Sequence, residues 1–209
     1  MYGTPAHLVI GFHACDQSVG EAVLAGKTGL KVSTNKYDWL GSGRYFWEGN
    51  YDRALAYGRW LAKRKTNPKI GKVFVMGAII DLGLCLNLLE DENLKILQNA
   101  YERLANVLLK TGSPMPENKP LKGSEDLLMR NLDCAVVETV HQLTMSENLP
   151  AYDSVRGVFW EGSELYPNAG FRQHNHIQIC VRNPNCIKGY FRPLTHSPEH
   201  PLPSLVRAL

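Results

Sequence analysis

The chain has 209 residues, of which 44% are hydrophobic and 21% charged, and its formal net charge is +3. This length can bury a core without disulfides or metals, and this composition excludes a wholly disordered protein. No apolar run approaches the roughly 18 residues that span a bilayer, and the start lacks a signal-peptide pattern. We therefore expect a cytoplasmic protein with no membrane contact. The mild positive charge permits a polyanionic partner without requiring one.

The N-terminal half predicts alternating strands and helices. Ser18 followed by Glu21 fits a capping box, and Asn50 can cap the next helix. In chain order the predicted elements are a strand over 8–14, a helix over 19–25, a loop over 30–40, an aromatic strand after the glycine turn 41–43, a helix from 51 to about 64, and a strand over 72–81.

The second half predicts helices followed by strands. In chain order we expect a helix over 94–108, a Pro- and Gly-rich break over 111–122, a helix from Ser124 to about Leu143, and strands over 153–160, 176–181 and 187–192. Neither end of the chain holds enough strands for a stable core, so strands from both ends must share one sheet. The prediction is one α+β domain over 1–192 with a helical insert at about 88–145, and a Pro-rich tail over 193–209.

The cysteines are odd in number and irregularly spaced, which disfavours a structural zinc site. Most have apolar neighbours, so we expect buried free thiols in a reducing compartment. Cys15 lies close to His13, but a thiol nucleophile there is the less favoured alternative. The five positions are Cys15, Cys85, Cys134, Cys180 and Cys186.

Histidines provide two candidate site positions. His13 ends the first strand at the rim of a sheet, with a hydrogen-bonded structural histidine as the alternative. His174, His176 and Gln178 alternate along one strand and therefore share a face that can line a cleft. A zinc pair is disfavoured because no third ligand accompanies the histidines at a familiar spacing.

The motif Gly41-Ser42-Gly43-Arg44-Tyr45-Phe46 allows a tight turn or a close approach to a ligand, but it lacks the pattern of a phosphate loop. Tyr45 and Tyr57 can stack on an aromatic ligand, with core packing as the alternative. Glu161 and Glu164 lie in a loop, where a carboxylate is either solvated or placed over a cleft as an acid or base. Serine-hydrolase and Rossmann motifs are absent from the sequence.

Taken in order, these motifs resemble the ADP-ribosyltransferase superfamily, in the branch of the poly(ADP-ribose) polymerases and diphtheria toxin. The match covers most of the chain outside the helical stretch and the tail, and Gly-x-Gly-x-Tyr-Phe is its most specific part. The matching segments are His13 with the helix after it, Gly29-Leu30, residues 41–46, Tyr57, and Asp153-Ser154-Val155-Arg156-Gly157. The resemblance implies a split, mixed β-sheet that binds NAD as a substrate through a His–Tyr–Glu set, without a metal.

The resemblance assigns roles to individual residues. It implies that His13 holds ribose hydroxyls, that the backbone at Ala14 clamps the carboxamide, and that Tyr45 and Tyr57 sandwich the nicotinamide. It also places Gly43 in the cofactor-binding set. Two small residues depart from the family pattern: Ala14 stands where glycine is common, and Ala54 where a serine is common.

The third departure is the absence of the family's glutamate. Depending on one gap near residues 183–184, either Gln178 or His176 takes its place. Gln178 is preferred, because a His–Tyr–Gln set occurs in the family and glutamine can hydrogen-bond a ribose hydroxyl. Since an amide cannot accept a proton, the base would be Glu161, Glu164, His176 or the target itself.

The resemblance implies an NAD-dependent mono-ADP-ribosyltransferase that acts on an intracellular protein, DNA or RNA. A toxin or defence role, with an antitoxin as partner, is a further expectation. The alternative is a catalytically inactive module that binds NAD or ADP-ribose; an RNA-processing enzyme would need more arginines at the cleft. Basic residues on or near the second helix could meet phosphates, although a solvated face is the plainer interpretation: Arg44, Arg53, Arg59, Lys63, Arg64 and Lys65.

Overall fold

A computed structural model describes residues 8–64, 70–121 and 126–194. It is a mixed α+β structure, so the α+β class predicted from the sequence is confirmed. In chain order its helices and strands are β1 (Leu8–Asp16), α1 (Gln17–Leu24), β2 (Arg44–Glu48), α2 (Tyr51–Lys63), β3 (Val73–Asp81), β4 (Cys85–Asn87), α3 (Asp91–Thr111), β5 (Asn118–Lys119), β6 (Met129–Arg130), α4 (Asn131–Ser146), β7 (Ser154–Phe159), β8 (His176–Val181) and β9 (Ile187–Phe191).

One sheet organises the described part of the chain. It has seven strands in the order β4-β7-β8-β2-β1-β3-β9, and β5 and β6 form a separate small pair. The contact between β4 and β7 is parallel, and the other neighbouring strands of the large sheet are antiparallel. Strands from the two ends of the chain lie side by side, as the sequence predicted.

The two halves of the sheet are joined unevenly. β1 pairs with β3 from Leu8–Asp81 to Asp16–Val73, whereas β1 and β2 pair only at Gly11–Glu48 and Phe12–Trp47. Beyond Phe12 the two strands separate. The sheet is therefore partly divided between β1 and β2.

Helices cover the two faces of the sheet in different ways. Side chains alternate between faces along a strand. One face, which we call the α1 face, packs Phe46, Met76 and Ile179 against Val23 of α1. The other, the α2–α4 face, carries two apolar clusters: α2 covers β1 and β3, while α3 and α4 cover β7 and β8. The division of the sheet thus coincides with a division between the helices on that face.

Two helix starts differ from the sequence prediction because their caps come from unexpected residues. The N-cap of α1 is Asp16, whose side chain accepts a hydrogen bond from the Ser18 N–H, so the capping box at Ser18 is wrong. α4 begins at Asn131, later than predicted, and Ser124 lies outside the described residues. The Oδ1 atom of Asn118, on β5, accepts hydrogen bonds from the N–H groups of Leu132 and Asp133 at the start of α4.

The cysteines of the chain are free and mostly buried. Burial raises the pKa of Cys15 to about 11, so this thiol keeps its proton at neutral pH. It therefore has the environment of an inert core thiol rather than of a nucleophile.

Among the described residues, no helix is long and apolar enough to cross a membrane. α3 and α4 lie at the predicted helical stretch, about 88–145. Most of the tail that was expected to be irregular, from residue 195 onwards, lies outside the described residues.

Removing the Asn118 side chain, which caps α4 from β5, should destabilise the fold. Asn118→Ala leaves the first N–H groups of α4 without their acceptor, and we expect the free energy of unfolding to fall by roughly 1–2 kcal/mol. Urea unfolding measures this loss. Glu102→Ala, an exposed change on α3, is the control and should have little effect. An equal loss in both variants would contradict a capping role for Asn118.

Candidate functional site

Where β1 and β2 separate, the backbone of one buried residue, Ala14, has no ladder partner on β2. The carbonyl oxygen of Ile10 accepts a hydrogen bond from the Gly49 N–H at 2.8 Å, so even-numbered residues of β1 direct their backbone groups towards β2. Ala14 is also even-numbered and therefore directs its backbone groups towards β2, but the ladder between the two strands stops at Phe12–Trp47. Among the described strands, β2 therefore offers no ladder partner to the N–H and C=O groups of Ala14.

A hydrogen bond from the imidazole of His13 replaces the next backbone hydrogen bond of the ladder. Its Nδ1 atom donates to the carbonyl oxygen of Tyr45 at 2.8 Å. The ring lies on the α1 face, edge-on to Phe46 with centroids 5.8 Å apart. Burial lowers the pKa of His13, partly opposed by the bond to Tyr45, so the ring is neutral at neutral pH. With Nδ1 protonated, Nε2 is a hydrogen-bond acceptor.

Tyr45 points to the opposite face and ties down the glycine turn. Its hydroxyl donates to the carbonyl oxygen of Gly41 at 2.8 Å and accepts from the Leu40 N–H at 3.0 Å. Gly41 has φ +77°, which favours glycine, and a Cβ at Gly43 would meet the Cys180 Sγ atom at 2.4 Å. The glycine spacing is thus explained by a turn packed against β8, without contact to a ligand.

Tyr57 lies on the other side of the gap. It packs against the cluster that contains Ala14, Trp47 and the fully buried Ala54. The rings of Tyr57 and Trp47 are 4.9 Å apart. The side chain of Ala54 has no polar group, so it contributes packing here and no hydrogen bond.

A continuous row of rings crosses the α2–α4 face from this point. We call it the aromatic row; its members in order are Trp60, Tyr57, Trp47, His176, Phe159 and Trp39, with successive centroid distances of 5.6, 4.9, 6.3, 5.4 and 5.1 Å. Guanidinium groups lie near both ends: Arg64 is 4.6 Å from the Trp60 ring, and Arg130 is 5.9 Å from the Trp39 ring and 4.7 Å from the Phe159 ring.

Gln178 and His176 both belong to this face but have different surroundings. The Oε1 atom of Gln178 accepts a hydrogen bond from the Trp39 indole N–H at 2.6 Å, so the acceptor expected to bind ribose is engaged within the protein. His176 is 6% exposed and stacks on Phe159 with an interplanar angle of 27°. His13, on the α1 face, is not brought into this group.

The carboxylate of Glu161 is held beside the aromatic row by an ion pair with Arg53. Arg53 of α2 donates from Nη2 to Glu161, which lies two residues after the end of β7, and the two side chains are 13% and 18% exposed. Arg53 is close enough to His176 to contribute to the lowering of its pKa. Glu164, the other carboxylate considered from the sequence, is exposed and accepts a hydrogen bond from the Asn168 N–H within its own loop.

Buried polar atoms without partners concentrate at this ion pair. Of five such side-chain atoms in the described residues, three are Nε1 of Trp47, Nε of Arg53 and Nε2 of His176. Leaving a buried polar group unsatisfied costs about 1–3 kcal/mol, so this concentration marks where a polar ligand would be stabilised. Burial lowers the pKa of His176 to about 4, which keeps its ring neutral.

A separate cavity of about 390 Å³ lies at the C-terminal end of α4, among His141, Tyr152 and Arg182. It shares no lining residue with the aromatic row. Within the described parts of the chain, no group of three or more His, Cys, Asp or Glu side chains is arranged to hold a metal ion.

Comparisons of the chain with protein-family models, with curated proteins and with solved structures give no match.

Sequence reasoning missed several members of the site. Trp47 could have been found, because it follows Tyr45 by two residues and so shares its face of β2. Arg53 was considered only as one of several basic residues that could meet phosphates, although its position four residues before Tyr57 places both on one helix face. Trp39, Phe159 and Arg130 carry no comparable signal, since only the tertiary fold brings them together.

Buried neutral histidines should make the fold sensitive to acid. The pKa values of His176 and His141 fall from 6.5 to about 4 through burial. Below pH 6.5 the unfolded chain binds protons that the folded chain does not, so stability falls as the pH drops towards 4. We expect a loss of roughly 1–2 kcal/mol per histidine.

Urea unfolding at pH 7 and at about pH 4.5 measures this loss. His176→Gln and His141→Gln should each reduce the pH dependence, and His174→Gln, at an exposed position, should reduce it less than either. The same pH dependence in all three variants would contradict the assignment.

Proposed function

We propose that this protein is an NAD-dependent ADP-ribosyltransferase that binds nicotinamide in the gap between β1 and β2. The observation that carries the proposal is the pair of backbone groups at Ala14. A carboxamide has an N–H donor and a C=O acceptor, which match the C=O and N–H groups that Ala14 directs into the gap.

The surroundings of the gap suit an aromatic ring carrying a carboxamide. Tyr57 and Trp47 pack beside Ala14 on one side, and the half-buried Tyr45 stands on the other. The Tyr45 hydroxyl is held by the glycine turn, so the ring is fixed before a ligand arrives. A preorganised aromatic site costs little conformational entropy on binding.

The neutral imidazole of His176 suits the charge changes of ADP-ribosyl transfer. The bond between ribose C1′ and the nicotinamide nitrogen breaks, and its electron pair leaves with neutral nicotinamide. Positive charge develops on the ribose meanwhile, so acceptors stabilise it and a cation would oppose it. His176, with its pKa lowered to about 4, can accept a hydrogen bond without adding positive charge.

The carboxylate of Glu161 supplies the remaining step. An acceptor nucleophile forms the new bond to C1′ and gives up a proton, which the Glu161 carboxylate takes. Arg53 holds this carboxylate beside the aromatic row. Gln178, whose oxygen is bonded to Trp39, keeps its amide N–H groups as donors.

A second function, a module that binds NAD or ADP-ribose without cleaving it, is favoured by one observation. Both Glu161 and Gln178 are already engaged by protein partners, Arg53 and Trp39. Such a module would bind NAD and release no nicotinamide.

The backbone pair at Ala14 should distinguish an amide from an acid. We expect nicotinamide to bind and to inhibit nicotinamide release from NAD, while nicotinate binds at least about tenfold more weakly, because its carboxylate has no N–H for the Ala14 carbonyl. Calorimetric titration of both compounds measures the difference. Equal affinity, or tighter binding of nicotinate, would contradict the proposed clamp.

Glu161 and Glu164 lie in the same loop, so variants of the two test which carboxylate acts as the base. Glu161→Gln should lower transfer to an acceptor by about 100-fold or more, since it removes the proton acceptor. Glu164→Gln should leave the rate within about twofold. Both variants should still bind NAD, as monitored by titration. An unchanged rate in Glu161→Gln would assign the base elsewhere and would contradict the role given to Glu161.

A further inference from the structure

We propose that the acceptor is a single-stranded nucleic acid whose bases stack on Trp60 and Trp160, on either side of the Arg53–Glu161 ion pair. This inference rests on the proposed function and names the substrate class of the same site.

α2 carries a stripe of alternating charge and aromatic surface. Arg53, Tyr57, Trp60 and Arg64 recur at steps of four, three and four residues, which places them along one helix face. Tyr57 and Trp60 stack at 5.6 Å with an interplanar angle of 29°. The stripe therefore begins at the ion pair of the site and runs along α2 to the helix end.

The outer end of the stripe is built like a stacking platform. Trp60 is 41% exposed, although a side chain with this much apolar surface is usually more deeply buried. The guanidinium of Arg64 lies over it at 4.6 Å. The guanidinium covers the ring face on which a nucleobase could stack. A nucleobase that stacks there would displace the arginine, which could then bind a phosphate.

A second platform stands on the other side of the ion pair. Trp160 directly precedes Glu161 and is 50% exposed. Arg172 lies over its ring at 4.1 Å. Because Glu161 is hydrogen-bonded to Arg53, each partner of the ion pair has an exposed tryptophan on its own segment, Trp60 on α2 and Trp160 next to Glu161.

The charge beside the platforms suits a phosphate backbone. α2 with its C-cap carries four basic residues and one acidic residue; Arg59, Lys63 and Arg64 are exposed, and so is the acidic Asp52. An acidic peptide would meet the same charge but would leave both exposed indoles unused. Bases of a single strand offer flat faces to such rings, whereas the bases of a duplex are already stacked.

Binding can be tested without NAD. The probe is a fluorescently labelled single-stranded oligothymidylate of about ten nucleotides, followed by anisotropy at low salt. Trp60→Ala and Trp160→Ala should each weaken binding by about 5- to 100-fold, and Trp60→Phe should restore most of the affinity. Both rings are half-exposed, and thermal unfolding checks that the variants fold.

Matched controls separate stacking from general charge. Arg103→Ala removes an exposed cation from α3 and Leu109→Ala an exposed apolar side chain, and each should change affinity less than about threefold. Four outcomes would overturn the proposal: no binding by the unaltered protein, unchanged binding by Trp60→Ala, an equal loss in Arg64→Ala and Arg103→Ala, or equal affinity for a duplex.

Transfer of label from NAD to the oligonucleotide tests the acceptor directly. In this probe a thymine nitrogen or the terminal deoxyribose hydroxyl would form the new bond to C1′, the C1′–nicotinamide bond would break with its electron pair leaving on nicotinamide, and the nucleophile's proton would pass to Glu161. Label on protein alone, with nicotinamide released, would overturn the nucleic-acid inference and leave the proposed function standing. Oligonucleotide binding without any NAD binding would remove the proposed function, and with it the assignment of the strand as acceptor.

Discussion

The hydrogen bond from the His13 ring to the Tyr45 carbonyl is the constraint on which this part of the molecule depends. It satisfies a backbone acceptor that would otherwise continue the ladder between β1 and β2. Because a side chain takes this position, the Tyr45 carbonyl keeps a hydrogen-bond partner where the strands separate. Ala14 is left facing a gap, and α2 and α4 pack on separate halves of the same sheet face. His13 thus shapes the site from the opposite face.

The helical insert stabilises the other wall of the gap. Glu138 of α4 accepts a hydrogen bond from the Ser42 N–H at 2.6 Å, and Arg182, after β8, donates to the Ser42 carbonyl at 3.1 Å. Tyr45 is bonded to the neighbouring Gly41. The glycine turn is therefore held by α4, β8 and its own tyrosine, so the orientation of the Tyr45 ring is a property of the whole fold. Arg182 also lines the cavity beside His141, which connects that cavity to the turn.

Local signals in the sequence were sufficient for some elements and not for others. β8 was predicted with its observed bounds, and the Asn50 cap of α2 is formed by the expected side chain. β4 is too short to show a periodicity, and α4 takes its cap from Asn118, which no local pattern can reveal. In the site, alternation along β8 correctly placed His176 and Gln178 on one face. It could not show that Trp39 would occupy the Gln178 oxygen.

The different surroundings of His176 and Gln178 bear on how the proposed transfer would proceed without the glutamate that is common in ADP-ribosyltransferases. A glutamate combines two abilities, a charged hydrogen-bond acceptor for ribose and an acceptor for a proton. Here the free buried acceptor is Nε2 of His176, and the carboxylate is Glu161, anchored through Arg53 next to the same ring. In the proposed reaction His176 accepts a hydrogen bond from the ribose and Glu161 accepts the proton. Gln178 fixes the position of Trp39 through the hydrogen bond between them. With a neutral hydrogen-bond acceptor, His176, at the ribose and the Glu161 carboxylate nearer the surface, the site would favour a target molecule that enters from the surface. This agrees with platforms on both sides of the ion pair.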